Sequence, residues 1–311
     1  MNKHPSLGSL SSFAALLLAL ALFGSTPPAQ GCVALSKNGV VGISNEVVVI
    51  IWDKAHQTEY FIRSVSLEGK YDNAGFLVPT PSTPELAVAD ERIFDLAEGY
   101  LSFPRTLAVA LPAANPTGKQ PVVVAEQDIG DYHAVVLDAA DANGLGAWLK
   151  QNGYPWSEGS AQWLAPYLAA KWKITAFKLR RTASGDLGTH AIRMSFTTDR
   201  PFFPYREPAE ASKLGGPNRF LRIAFLSDER MIGKLGDGTD WPAHLDLAVS
   251  TTPPSYTHVD KNNWLIYAGL NNKPGIQLPA RLTYFSDYSN PRPGQSDLYF
   301  IPGPDQSDYQ P

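Results

Sequence analysis

Residues 47–67 read VVVIIWDKAHQTEYFIRSVSL and contain the clearest strand pattern of the chain. The β-branched run over residues 47–52 predicts a buried strand. Residues 58–67 have apolar side chains in an alternating pattern from Tyr60 to Val65, which favours a second strand. Because the intervening DKAHQ is short and polar, it supplies the turn of a β-hairpin.

Most of the remaining chain also has strand patterns. Residues 75–78 (GFLV) predict a third strand, which the following prolines end. Residues 122–126 and 132–137 flank the turn DIGD and predict a second strand pair. Further strands are predicted at residues 172–179, 191–196, 219–226, 245–249, 264–268 and 281–285.

A few helices interrupt this β pattern. Pro84, with Thr83 as its cap, predicts the start of one helix. Asp141 predicts the cap of a second, which runs to about Lys150. The fold class expected from these elements is α+β, with mixed or antiparallel sheets, a few packing helices and many loops.

The same pattern divides the chain. Residues 32–185 form an α+β part and residues 186–288 a β-rich part, with only a short SGDLG turn between them. Two separate units and one shared core are both compatible with this boundary. The tail over residues 289–311 is rich in Pro, Asp, Gln and Ser and is expected to be extended or disordered.

Composition excludes several classes of protein. The 311 residues contain 25 glycines and 26 prolines, which suits a loop-rich fold better than a helical bundle. The net charge of −4 argues against a globally basic nucleic-acid-binding protein. A single cysteine, Cys32, excludes an intrachain disulfide and a cysteine-based zinc cluster.

The N-terminus has the pattern of a secretory signal peptide over residues 1–31. Residues 13–23 read FAALLLALALF and would rise only about 16 Å as a helix, against roughly 30 Å for a bilayer core. Pro27 and Pro28 end this run, and small residues precede Cys32. We therefore expect an exported protein that is periplasmic, cell-surface or secreted.

Cys32 stands where a lipoprotein cysteine would follow its signal. Gly31 suits lipidation, whereas Ala29 and Gln30 match that signal poorly. A lipid anchor on Cys32, a free thiol, an intermolecular disulfide and an inert cysteine all remain open. A membrane contact is expected only through such an anchor.

Several segments resemble a bacterial exported family catalogued as domain of unknown function 2330. The resemblance spans roughly residues 32–230 and implies an envelope-located protein. It implies no reaction, because the family has no assigned activity. The segments are IIWDKAHQTEYFIRSVSL (50–67), GFLVPTPSTPELA (75–87), GDYHAVVLDAADANGLGAWLKQNGY (130–154) and FPYREP (203–208).

Four residues are candidates for acid–base chemistry. Asp53 and Glu59 flank the first hairpin and could approach each other across it. Asp131 and His133 would share one face of a strand, where an Asp–His pair could polarise a nucleophile or hold a cation. These residues are equally compatible with acids that belong to ordinary turns and with a solvent-exposed histidine.

Five residues are candidates for ligand binding. Trp52 and Tyr60 could line a groove for sugar or peptide, although strand aromatics more often belong to a core. In the proline-flanked segment FPYREP, Tyr205, Arg206 and Glu207 suit either a recognition loop or a structural clamp.

Metal and cofactor signals are weak. The loop GDGTD supplies two carboxylates, Asp237 and Asp240, which could hold calcium but also suit an ordinary turn. Neither a nucleophile elbow, a dinucleotide fingerprint nor a phosphate loop occurs, and no cofactor is expected.

The sequence therefore favours an exported envelope protein that acts as a non-catalytic binding or interaction module. The alternatives are an envelope hydrolase, if Asp53, Glu59, Asp131 and His133 converge in the fold, and a calcium-stabilised adhesion module.

Overall fold

The computed structural model describes residues 34–36, 39–41, 45–64, 66–67, 70–71, 75–99, 120–154, 156, 158–180, 183–184, 187–188, 190–206, 220–250, 263–279, 281–289 and 296–304. The predicted signal peptide and Cys32 lie outside these residues, as does Glu207. Within them the chain forms an α+β fold that is rich in sheet, which confirms the predicted fold class.

Twenty strands and four helices make up the described part of the chain. In chain order the strands are β1 (Ala34–Ser36), β2 (Gly39–Val41), β3 (Asn45–Asp53), β4 (Thr58–Arg63), β5 (Ser66–Leu67), β6 (Lys70–Tyr71), β7 (Gly75–Thr80), β8 (Glu85–Ala89), β9 (Val122–Ile129), β10 (Tyr132–Asp138), β11 (Lys173–Leu179), β12 (Ala183–Ser184), β13 (Leu187–Gly188), β14 (Ala191–Thr197), β15 (Phe202–Phe203), β16 (Phe220–Ser227), β17 (Met231–Leu235), β18 (His244–Ser250), β19 (Arg281–Asp287) and β20 (Leu298–Pro302). The helices are α1 (Arg92–Glu98), α2 (Ala142–Gln151), α3 (Glu158–Ala169) and α4 (Asn263–Tyr267). None of these helices is long and apolar enough to cross a bilayer.

Three sheets contain most of the strands. Sheet A has six, in the order β2-β1-β7-β11-β10-β9, and all its pairs are antiparallel. Sheet B has seven, in the order β18-β19-β16-β3-β4-β14-β8, in which β16 and β3 are parallel. Sheet C has the order β15-β20-β17, and the pairs β12–β6 and β13–β5 form small ribbons.

The strand side chains sort into layers because successive residues point to opposite faces. In β3, Val48 and Ile50 belong to an inner core that sheets A, B and C share, whereas Val49 and Ile51 face an outer core with α1 and α4. On sheet A, Leu77 and Val135 face a third core that includes α2 and α3. The order of layers is therefore helices, sheet A, sheet B, helices, with sheet C against the inner core.

The hairpin at residues 47–67 forms as predicted. Strands β3 and β4 pair antiparallel, with Ile50 opposite Phe61 and Asp53 opposite Thr58 at the turn. Helix α2 also begins as predicted, since the backbone N–H of Gly144 donates to the Asp141 carboxylate at 2.7 Å.

Two predicted elements are wrong. Residues 85–89 form strand β8 rather than the first turns of a helix, because they pair with β14, and α1 begins only at Arg92. Residues 264–267 form most of helix α4 rather than a strand, and Trp264 is buried in the outer core with Phe94 of α1.

Sheet B takes strands from both sides of residue 185. Strands β3, β4 and β8 precede it, and β14, β16, β18 and β19 follow it. In the tail, residues 298–302 are extended and form the central strand of sheet C.

Candidate functional site

One short segment, residues 201–206 with the sequence PFFPYR, is held by three buried acidic side chains. These acids, called the inner acids below, are Glu59, Asp287 and Asp297, and each is at most 3% exposed. The segment includes part of FPYREP, and its two prolines fix the backbone on either side of Phe202 and Phe203.

Glu59 is fully buried on the inner face of sheet B. Strand pairing places it opposite Trp52 on one side and Phe196 on the other, so its surroundings are aromatic. Its Oε2 accepts a hydrogen bond from the backbone N–H of Phe202 at 2.9 Å. Within the described residues, Oε1 has no hydrogen-bond partner. Burial raises the pKa of the Glu59 carboxyl well above its usual range, which the bond from Phe202 offsets only in part.

Asp287 lies at the end of β19 and accepts three hydrogen bonds. The Tyr205 hydroxyl donates to Oδ2 at 2.6 Å, and the Trp241 indole N–H donates to the same oxygen at 3.0 Å. The backbone N–H of Ser289 donates to Oδ1 at 2.8 Å. Tyr205 is therefore a buried anchor of the segment.

Asp297 connects the segment to helix α3. The Tyr167 hydroxyl donates to Oδ1 at 2.5 Å, and the Arg206 Nε lies 3.3 Å from Oδ2. The Trp163 indole N–H donates to the Arg206 carbonyl at 2.8 Å. Burial raises the pKa of Asp297, and the bonds from Tyr167 and Arg206 oppose that shift.

The inner acids therefore all accept hydrogen bonds from one segment, and these bonds hold the segment between sheet B, sheet C and α3. Buried carboxyl groups are costly unless hydrogen-bonded, and each of these three receives at least one bond from residues 202–206. For Tyr205 and Arg206, these contacts favour the structural clamp over the recognition loop.

The four predicted acid–base residues do not converge. Strand pairing places Asp53 and Glu59 on opposite faces of sheet B, because Glu59 shares its face with Trp52. Asp131 is bonded to His190 at the start of β14, whereas Asp53 lies beside Thr197 at its other end, across β4. Seven residue steps of about 3.3 Å put roughly 23 Å of strand between these ends.

Asp131 and His133 also have other partners than expected. The Asp131 carboxylate contacts His190 Nδ1 at 2.6 Å, and His133 Nδ1 contacts Asp128 at 2.9 Å. The His133 Nε2 is 3.1 Å from Glu126. These contacts place two acid–histidine pairs at the β9–β10 turn, and the exposed Asp128 also contacts Arg180 at 2.9 Å.

Asp53 forms a third acid–histidine pair, with His56 Nδ1 at 2.7 Å from its carboxylate. In a neutral imidazole this contact leaves Nε2 as the basic nitrogen. Tyr60 lies on the same face of sheet B as Asp53, and the Lys273 Nζ is 5.6 Å from the centroid of the Tyr60 ring. Burial, assisted by the Asp53 charge, raises the pKa of Tyr60 to about 12.

The predicted groove of Trp52 and Tyr60 is not formed, because these two buried side chains point to opposite faces of sheet B.

The acids of the GDGTD loop make local contacts. Asp237 accepts bonds from the backbone and hydroxyl of Thr239, and Asp240 pairs with Lys234. Among the described residues, no group of three His, Cys, Asp or Glu side chains is arranged to hold a metal ion.

The sequence predicts strand β9 but not its exposure. Strand β9 is an edge of sheet A, and seven of its eight residues are exposed. Val122, Val123 and Val124 are exposed by 67%, 42% and 43%. A β-bulge opposite Val136 and Leu137 leaves Val124 without a partner in β10. The valine run was the available signal, but alone it predicts burial.

The layered sheets, the clamped 201–206 segment and the exposed edge define an α+β sandwich protein. Residues 27–232 match the family described as an uncharacterized protein conserved in bacteria, domain of unknown function 2330. The chain belongs to this family, which confirms the resemblance. No curated protein and no solved structure matches the chain.

Proposed function

We propose that this protein is an exported bacterial envelope protein that acts as a binding or interaction module, with strand β9 as its binding element. The observation that supports this role most directly is the exposure of three consecutive valines on an edge strand. Exposed apolar residues on a long sheet edge invite pairing with another chain.

Other sheet edges are shorter. At the opposite edge of sheet A, β2 has three residues, and at one edge of sheet B, β8 has five. Strand β9 has eight, and an edge strand presents backbone N–H and C=O groups that an added strand can pair with. The Gln127 side chain donates to the Leu86 carbonyl of β8 at 3.1 Å, so the valine end of β9 is the part proposed to take the added strand. The binding mode that this geometry favours is strand addition.

The envelope location rests on the sequence of residues 13–31 and on Cys32. Intact mass of the protein from the envelope fraction tests both. A mass that begins at Cys32 supports export, and an additional diacylglyceryl group and acyl chain on Cys32 supports a lipid anchor. A mass that retains residues 1–31 contradicts export.

Site-specific photo-crosslinking in cells tests the binding element. A benzophenone amino acid replaces Val123 in the full chain, and a matched sample has it at Ile301, an exposed strand residue of sheet C. We expect adducts at position 123 that Val124→Lys in the same chain removes. Adducts that are equally abundant at position 301, or that persist with Val124→Lys, contradict the proposal.

A further inference from the structure

We infer that the Tyr60 hydroxyl and the Lys273 ammonium, with His56 beside them, form a binding site for a carboxylate group. This site is at one end of the outer face of sheet B, whereas strand β9 is the edge of sheet A. The inference therefore does not rest on the proposed role of β9, and the crosslinking result at position 123 leaves it unaffected.

Strand pairing brings polar side chains together at this end of sheet B. Asp53 lies opposite Thr58 on the outer face. In the next row Tyr60 lies opposite Ser195, which is itself opposite Glu85. Farther along the strands, the same face has apolar side chains that pack with α1 and α4. The outer face therefore changes at this end from a packed core to a group of polar side chains.

The chain between α4 and β19 lies against these polar side chains. The Lys273 Nζ is 2.8 Å from Glu85 Oε2 and 5.6 Å from the centroid of the Tyr60 ring. Two residues later the same segment passes His56, since a Cβ at Gly275 would lie 3.9 Å from the His56 Cε1. One short segment therefore places a cation at Tyr60 and runs beside His56.

The Tyr60 hydroxyl is the group that points to a ligand. Tyr60 is only 3% exposed, yet no hydrogen bond to its hydroxyl occurs in the described part of the chain. Polar groups at such depth normally have a partner, so an unpaired hydroxyl marks a place where another molecule can bind. With its pKa raised to about 12, the hydroxyl keeps its proton at neutral pH and is a hydrogen-bond donor.

The two acids of the site already have partners. The Asp53 carboxylate accepts from the backbone N–H of His56 at 3.1 Å and contacts the His56 Nδ1 at 2.7 Å. The Glu85 carboxylate accepts from Arg193 at 3.1 Å through one oxygen and from Lys273 at 2.8 Å through the other. The acids are therefore not the groups that a ligand must satisfy.

The remaining groups are mainly donors, which identifies the ligand by its chemistry. Lys273 has three N–H donors and uses one on Glu85, and the Tyr60 hydroxyl adds another. A ligand must therefore bring acceptor oxygens. A carboxylate brings two with a single negative charge, which the nearby Asp53 and Glu85 oppose less than the double charge of a phosphate. The basic His56 Nε2 can accept from an N–H next to that carboxylate, as at the C-terminus of a peptide.

An NMR titration of the isotope-labelled protein, purified from cells that express the full chain, tests the inference. The probe is N-acetylalanine, which has one carboxylate next to an N–H. We expect saturable shifts of the backbone amide signals of Tyr60 and Lys273. The uncharged N-acetylalaninamide and inorganic phosphate should each bind at least about fivefold more weakly.

Two variants and a matched control assign the binding to this site. Tyr60→Phe removes the hydroxyl but keeps the ring, and Lys273→Gln removes the charge. Each should raise the Kd for N-acetylalanine by about fivefold or more. Lys234→Gln removes the charge of a lysine whose side chain is 44% exposed and should leave the Kd unchanged. Tyr60→Phe should also leave the thermal unfolding midpoint unchanged, because the lost hydroxyl bonds no described residue.

Three results would overturn the inference. The first is the absence of saturable binding of N-acetylalanine. The second is binding that either Tyr60→Phe or Lys273→Gln leaves at wild-type strength, because the probe would then occupy another part of the surface. The third is equal affinity for N-acetylalaninamide or for inorganic phosphate, because the site would then not select a carboxylate.

Discussion

The Glu59 carboxylate accepts a hydrogen bond from the backbone N–H of Phe202 at 2.9 Å, across 143 residues of chain. This bond joins the middle of sheet B to the 201–206 segment in an aromatic environment. A carboxyl group in such a place is stable mainly in its neutral form, because burial penalises the charged one. The contact therefore makes the stability of the fold depend on pH.

Glu59→Gln should weaken the pH dependence of stability. The raised pKa of Glu59 means that the folded chain holds a proton that the unfolded chain releases above about pH 4.5. The free energy of unfolding should fall as pH rises above this value. Asp297, whose pKa is also raised, contributes in the same sense, so the variant reduces the slope without abolishing it.

Urea unfolding at pH 5 and pH 8 measures the change. Glu91→Gln, at an exposed position just before α1, serves as the control and should retain the wild-type difference. An identical pH difference in wild type and Glu59→Gln would show that Glu59 is ionised in the folded chain.

Tyr205→Phe should destabilise the fold by about 1 to 3 kcal/mol, because it removes the hydroxyl that donates to the buried Asp287. Tyr288→Phe removes a hydroxyl from a side chain that is 54% exposed and should change stability by less than about 0.5 kcal/mol. Denaturant unfolding compares the two. Equal effects would contradict the anchoring role of Tyr205.

Arg193→Lys should cost about 2 kcal/mol or more. The Arg193 guanidinium donates to the carbonyls of Ala268 and Gly269 at 2.7 Å and to Glu85 at 3.1 Å, and an ammonium cannot reproduce this fork. Arg180→Lys is the matched control, since its side chain is 47% exposed, and should stay within about 0.5 kcal/mol of wild type. A loss of the same size in both variants would refute the argument.

Gly146→Ala should destabilise the protein by about 1 to 3 kcal/mol, although alanine favours a helix. A Cβ at Gly146 would lie 2.3 Å from the Trp156 indole nitrogen, which packs against α2. Trp156→Phe in the same chain provides a smaller ring, so the two substitutions together should cost less than their sum in thermal unfolding. Additive losses would indicate that the indole does not oppose the methyl group.

The sequence predicts correctly those elements that depend only on residues close together in the chain. The hairpin at residues 47–67 and the Asp141 cap need only neighbours in the chain. Residues 85–89 become a strand because they pair with β14, about a hundred residues later, which overrides the helix signal at Pro84. The apolar run at residues 264–268 is short enough to suit a strand or a buried helix, and its burial with α1 decides the outcome.

The candidate site was harder to predict, because its contacts join residues that are far apart in the chain. Asp53 and Glu59 are close in sequence, but strand alternation places them on opposite faces. Asp131 pairs with His190, 59 residues away, and Glu59 with Phe202. Neither partner is indicated by spacing, because the first contact depends on how sheets A and B pack and the second on how sheets B and C pack.

The parallel pairing of β3 with β16 has a consequence for the order of folding. Val48 lies opposite Ile223, so the centre of sheet B cannot close until the chain has been synthesised beyond residue 227. Pairings between such distant residues form slowly, because a long loop must close first. For a chain that is exported as we propose, this delay leaves the centre of sheet B open while the chain is made, and an incompletely folded polypeptide is the one that can be threaded through a narrow channel.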